Sequence, residues 1–132
     1  MYKIVFLGDS GVGKTTLISR LVGKEFKEEH EPTNGIKSLL TMKYKLIDTC
    51  GKRSKKDWIV NKVKNVDLYV VVYDVNNIND SIDFWSKGIN NVMLVGNKSD
   101  LNFRLVNFHN LEVSAKTKDN LNIMIKHMRL NC

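Results

Sequence analysis

Gly8-Asp9-Ser10-Gly11-Val12-Gly13-Lys14-Thr15 has the spacing G-x-x-x-x-G-K-T. Before it runs Lys3-Ile4-Val5-Phe6-Leu7, apolar and β-branched, which predicts a buried strand. After it runs Thr16-Leu17-Ile18-Ser19-Arg20-Leu21-Val22, with apolar residues at helical spacing. Strand, glycine-rich loop and helix, in that order, are the context in which this motif cradles phosphate. The glycines let backbone N–H groups turn inward around phosphate oxygens, and the helix N-terminus favours an anion. Lys14 can reach the β- and γ-phosphates, and the Thr15 hydroxyl can ligate the Mg²⁺ that bridges them. A glycine-rich turn with an incidental lysine is the bland alternative, and the flanking strand and helix weigh against it.

The rest of the chain alternates in the same way. Tyr2 to Leu7 reads as a strand, Lys14 to Val22 as a helix, and Gly23 to Thr33 as a polar loop. Ile36 to Thr41 and Lys43 to Ile47 read as a hairpin turning around Thr41-Met42. Lys55 to Lys64 has the pattern of an amphipathic helix. Leu68 to Val75 is the longest apolar run and predicts a central parallel strand. Ser81 to Lys87 predicts a short helix before Gly88. Val92 to Val95 and Leu111 to Val113 predict strands, and Asn120 to Met128 a last helix. Strands alternating with helices predict an α/β sandwich whose sheet has about six strands, mainly parallel.

The 132 residues suit one domain, 1–132, with a proper core. An apolar fraction of 42% and a charged fraction of 27% are ordinary for a globular chain. No apolar run approaches membrane-spanning length, and the first residues enter a strand directly, so no leader is expected. Two cysteines, Cys50 and Cys132, make no disulfide framework, which favours a reducing, cytoplasmic compartment. The net charge of +7 could draw polyanions, but the lysines are scattered without aromatic interleaving. No nucleic-acid partner is expected. The densest cluster, Lys52-Arg53-Ser54-Lys55-Lys56, reads as a solvated basic turn.

Four further motifs follow the loop in order: Glu31-Pro32-Thr33, Asp48-x-x-Gly51, Asn97-Lys98-Ser99-Asp100 and Ser114-Ala115-Lys116. With the phosphate loop, they make the chain resemble a Ras-like small GTPase along its whole length, with wording closest to the Rab branch. The resemblance implies a three-layer P-loop NTPase sandwich that binds GTP and GDP with Mg²⁺. It implies that the nucleotide phosphates lie against Gly11, Val12, Gly13, Lys14, Thr15 and Thr16. Thr33 would contact both the ion and the γ-phosphate, ordering the first switch only with GTP. Asp48 would hold Mg²⁺ through water, completing a metal set of Thr15, Thr33 and Asp48. Lys14, Thr33 and the Gly51 N–H would serve the reaction at the γ-phosphate.

The base would be read by the last two motifs. Asp100 can accept from guanine N1–H and the exocyclic amine, a donor pair that adenine lacks. The Lys98 stem would lie along the base, Asn97 would brace the phosphate loop, and Ala115 N–H, within Ser114 to Lys116, would donate to guanine O6. Phe26 takes the place of a ring stacked on guanine, or anchors its loop. The rival, a P-loop nucleotide kinase, is disfavoured by these guanine-reading motifs.

The chain also departs from the family pattern. Lys52 stands where the family has the glutamine that orients the attacking water, and the sequence contains no glutamine at all. Slow hydrolysis is expected, with a non-hydrolysing GTP-bound interaction module as the alternative. Cys50 replaces an alanine and reads as a tolerated buried thiol, while Asn34 and Ile47 alter the usual partner surface. The third helix is cut to a stub and the fourth has no room. Leu101 to Asn110 is therefore expected to pack on the sheet as an ordered loop. Phe84, Trp85, Phe103, Leu105, Val106 and Phe108 are the side chains that would cover the thinned face. A monomer with protein effectors and regulators is expected, or else a homodimer through that face. The ending at Cys132 matches no prenylation signal, so no lipid anchor is expected.

Overall fold

Ile4, Val5, Phe6 and Leu7 are all fully buried, and they make Tyr2–Leu7 the central strand, β1. The computed structural model describes residues 2–22, 27–31, 36–41, 43–77, 79–97 and 110–112. Helix α1, Lys14–Val22, follows the phosphate-loop sequence. Four more strands carry the sheet outward: β2 (Lys27–Glu31), β3 (Ile36–Leu40), β4 (Tyr44–Thr49) and β5 (Leu68–Asp74). A 3-10 turn at Arg53–Lys55 leads into α2, Lys56–Lys62. Helix α3 is Ser81–Ser86, and β6 (Val92–Asn97) and β7 (Asn110–Glu112) complete the described elements.

Among the described residues, seven strands lie in the order β2-β3-β4-β1-β5-β6-β7. From β4 to β7 all pairings are parallel, with Phe6 opposite Asp48 and Leu7 opposite Val71. Strand β1 has β4 on one side and β5 on the other, so the strand order reverses beside it. In open α/β sheets, ligands bind off the carboxyl ends of strands at such a reversal.

Alternation along β1 splits the core in two. Ile4 and Phe6 face α1, packing with Leu17 and Ile18, while Val5 and Leu7 face α2 and α3, packing with Ile59 and Trp85. Three layers result, as the resemblance implies. Among the described residues, no helix is long and apolar enough to cross a membrane.

Two expectations need correction. Residues 27–31 are not loop but strand β2, antiparallel to β3 with Lys27 opposite Leu40 and Glu31 opposite Ile36. Nothing apolar in Lys-Glu-Glu-His-Glu dictates this. The pairing satisfies the outer edge of β3, and a charged outermost strand discourages further pairing. Among the described residues the sheet therefore has seven strands, close to the roughly six expected, with β2 as the addition. The basic turn is also not simply solvated. Lys56 is only 8% exposed, and its ammonium donates to the Phe84 carbonyl and, at 2.9 Å, to the Lys87 carbonyl. A cation thus satisfies carbonyls at the end of α3. Lys3 acts similarly, its Nζ donating to the Lys64 carbonyl at 2.6 Å.

The hairpin closes as expected, Thr41 N–H donating to the Tyr44 carbonyl at 2.8 Å. The stub is confirmed in α3, which is six residues long. Isolated helices of that length are unstable in water, so tertiary contacts must hold it. Trp85 supplies them: it is 0% exposed and packs edge-on against Phe84, with ring centroids 5.1 Å apart. Trp85→Ala should therefore destabilise the fold by about 3–5 kcal/mol, read as a lower urea midpoint. Of the expected loop over Leu101 to Asn110, Asn110 instead opens β7, and residues 101–109, the question of a fourth helix, and the last helix lie outside the described residues.

Candidate functional site

The loop after β1 and the ends of β4 and β6 meet at one place. Thr49 pins β4 there: its hydroxyl donates to the Phe6 carbonyl at 2.7 Å in a buried bond. Asp48, in register with Phe6, is thereby carried to the start of α1. The Thr15 hydroxyl donates to Asp48 Oδ2 at 2.5 Å. Asp48 is 7% exposed, and its Oδ1 is buried with no hydrogen-bond donor among the described residues. Burial pushes the Asp48 carboxyl up from its usual range, while the Thr15 bond and the Lys14 charge pull it back.

Lys14 is 6% exposed, and its ammonium donates to the Gly8 carbonyl at 2.7 Å and the Asp9 carbonyl at 3.1 Å. Burial lowers its basicity, opposed by the charges of Asp48 and Asp9. Asn97, at the end of β6, donates through Nδ2 to the Val12 carbonyl at 2.8 Å and the Gly13 carbonyl at 3.5 Å. Gly13 has φ +88°, and a Cβ there would sit 2.5 Å from that amide nitrogen. Only glycine lets the amide brace the loop so closely.

A cavity of about 360 Å³ opens over the loop. Ser10, Gly11, Gly13, Lys14, Thr15 and Thr16 line it together with Thr49, Cys50 and Gly51. Gly51 packs so tightly that a Cβ would fall 2.1 Å from the Ser10 backbone nitrogen. Cys50 is a half-buried free thiol on the cavity wall rather than a core residue. Val12 lies behind the loop, 6% exposed.

Of the residues singled out by sequence, Gly11, Gly13, Lys14, Thr15, Thr16 and Gly51 line this cavity, while Asp48 is tied to it through Thr15 and Asn97 through the loop carbonyls. Phe26, Thr33, Lys98, Asp100, Ser114, Ala115 and Lys116 lie outside the described residues.

Sequence reasoning placed Arg53 in a solvated basic turn, whereas its guanidinium is held by two carboxylates. The Arg53 guanidinium bonds Asp9 in a fork, Nε to Oδ1 and Nη2 to Oδ2, both at 2.9 Å. It also bonds Asp80, just before α3, from Nη1 at 3.0 Å and Nη2 at 2.9 Å. The Trp85 indole N–H donates to Asp9 Oδ1 at 2.9 Å. Arg53 thus holds the Asp9 carboxyl below its usual range against the opposing effect of burial. A signal was present: an arginine placed just after D-x-x-G, and an aspartate inside the phosphate loop it must approach.

The geometry can now be set beside known proteins. A family model, described as Ras family, matches residues 3–130. Among solved structures, the chain is similar to that of S. thermophilus NFeoB, in a threonine-to-alanine mutant bound to GDP. The identity is 19% and the TM-score 0.73, with 96% of this chain and 59% of that chain covered. The likeness is therefore one of fold, and this chain spans under two thirds of that relative's length.

Proposed function

We propose, from the premise that the chain belongs to the Ras family, that it is a Mg²⁺-dependent GTP/GDP switch with slow intrinsic hydrolysis. Nucleotide-binding GTPase chemistry comes with the family; the ion, the rate and the switching are our reading. Buried Asp48 carries it. A buried carboxylate with one oxygen on the hydroxyl of Thr15, which lines the cavity, and the other oxygen without a donor among the described residues suits a hard cation. Mg²⁺ there would neutralise charge developing on the β- and γ-phosphate oxygens. Thr15 and Asp48 would hold it, with Thr33 from the first switch.

The protein's own groups do the rest. Lys14, now on two loop carbonyls, would turn to the phosphates, where a charge-assisted bond is stronger. Backbone N–H groups of Gly11 to Thr16 would cradle the α- and β-phosphates. Gly51 N–H would meet the γ-phosphate. Lys52 follows on the exposed side, and an ammonium cannot accept a hydrogen from water as an amide can. Hydrolysis should consequently be slow. In the second reading, a GTP-bound module without hydrolysis, the same pocket serves only as a scaffold. Single-turnover assays separate the two.

Guanine is assigned to Asp100, with Lys98, Ala115 and Phe26 around the base. In competition, GTP should displace bound labelled GDP and ATP should not. Asp100→Asn should weaken GDP binding sharply and improve xanthosine diphosphate binding. Unchanged GDP affinity in that variant would remove the base assignment. We further propose that residues 1–132 act as one domain, monomeric in the cytoplasm, with protein effectors and regulators as partners.

A further inference from the structure

We infer that Arg53 is a positioning residue that sets the preference for guanosine triphosphate over diphosphate. It would do so by clasping the Gly51 turn to the phosphate loop. The inference rests on the nucleotide reading above. Arg53 lies two residues after Gly51, and its guanidinium spends four bonds on two carboxylates from separate segments. Asp9 belongs to the phosphate loop, yet it does not line the cavity. Its carboxylate points away toward Arg53 and Trp85. The Phe84 ring lies 4.9 Å from the guanidinium carbon, closing one face of the group. A planar fork can satisfy both carboxylates at once, which a lysine ammonium cannot do.

The effect falls on Gly51. Its backbone sits against Ser10 and lines the same cavity as Lys14 and Thr15. Loop, turn and the start of α3 are joined through one guanidinium, so the turn cannot lift without breaking the forked pair. A diphosphate uses the loop and α1 and has no need of Gly51. A triphosphate uses the Gly51 N–H as well. Holding that N–H in place beforehand lowers the ordering cost of triphosphate binding alone. Arg53 would thereby act on the ratio of the two affinities without touching the nucleotide.

The test is equilibrium binding of GDP and of GTPγS to wild type, Arg53→Ala and Asp80→Asn. Asp80 is 72% exposed, and removing its charge leaves the Arg53–Asp9 fork intact, so this variant retains the fold. Arg53→Ala should lower GTPγS affinity about threefold to tenfold while GDP affinity stays within about twofold. Asp80→Asn should shift the ratio in the same direction, by about twofold or slightly more. Equal losses for both nucleotides, or ratios unchanged in both variants, would overturn the inference while leaving guanine-nucleotide binding standing. Failure of the wild type to bind either nucleotide would overturn the functional reading, and this inference with it.

Discussion

Asp48→Asn is expected to raise the stability of the nucleotide-free, chelator-treated protein by about 1 kcal/mol at pH 7, while cutting Mg²⁺-dependent nucleotide affinity on the order of a hundredfold. The two effects share one cause. The wild-type carboxylate is buried with an oxygen that receives no hydrogen bond among the described residues, so its charge is costly until a cation arrives. An amide keeps an acceptor for the Thr15 hydroxyl and discards the charge. The sign with pH follows. Burial raises the folded-state pKa of Asp48 above its ordinary value of 3.8. The folded protein therefore holds that proton more tightly than the unfolded chain does. The resulting stability is fully present below 3.8 and is lost as pH rises through the higher folded value. The advantage of the variant should accordingly shrink as pH falls toward 3.8, measured by denaturant unfolding across pH. A variant less stable than wild type at pH 7 with unimpaired Mg²⁺-dependent binding would refute the assignment of Asp48.

Lys14→Met should leave the fold close to its wild-type stability and abolish useful nucleotide binding. Methionine keeps the buried aliphatic stem but cannot donate to the phosphates. Losing a charge-assisted bond to phosphate in a water-poor site costs on the order of a hundred- to a thousandfold in affinity. Stability changes little because the ammonium is buried at a cost, its pKa lowered chiefly by desolvation. The Gly8 and Asp9 carbonyls then lose their donor, which offsets part of that gain. Titration calorimetry with GDP and GTPγS, beside thermal unfolding, reads both quantities. Binding within tenfold of wild type would mean that Lys14 keeps its loop carbonyls and never serves the ligand.

What could be seen in the sequence was what neighbours along the chain dictate. Ile4 to Leu7 followed by the glycine-rich loop needed nothing distant to be read as strand and turn. Asp48 was legible from its place after a strand, although its orphaned oxygen was not. Gly88 marked the limit of α3 correctly. Strand β2 was invisible because Lys27 to Glu31 has no apolar alternation, and its conformation comes from the edge of β3. Arg53 was misread for the same kind of reason. Its partners Asp9 and Asp80 lie 44 and 27 residues away, and turn composition says nothing about them. Lys56 looked like part of a solvated run until α3 folded over it.

Lys3, Lys14 and Lys56 share a habit whose consequence reaches beyond each site. All three place their ammonium on main-chain carbonyls rather than on carboxylates. With 21 lysines and arginines against 14 acids, the protein has a deficit of anions. Peptide dipoles take their place at these three positions. Such ion–dipole contacts have no mobile counter-charge to be displaced by dissolved ions, and those of Lys14 and Lys56 are shielded further by burial. Moderate salt therefore relaxes the mutual repulsion of the surplus cations without loosening the bonds that tie the loop, the second helix and the first strand together. A cation-rich chain of this kind is conditioned to tighten, not loosen, as the ionic strength around it rises.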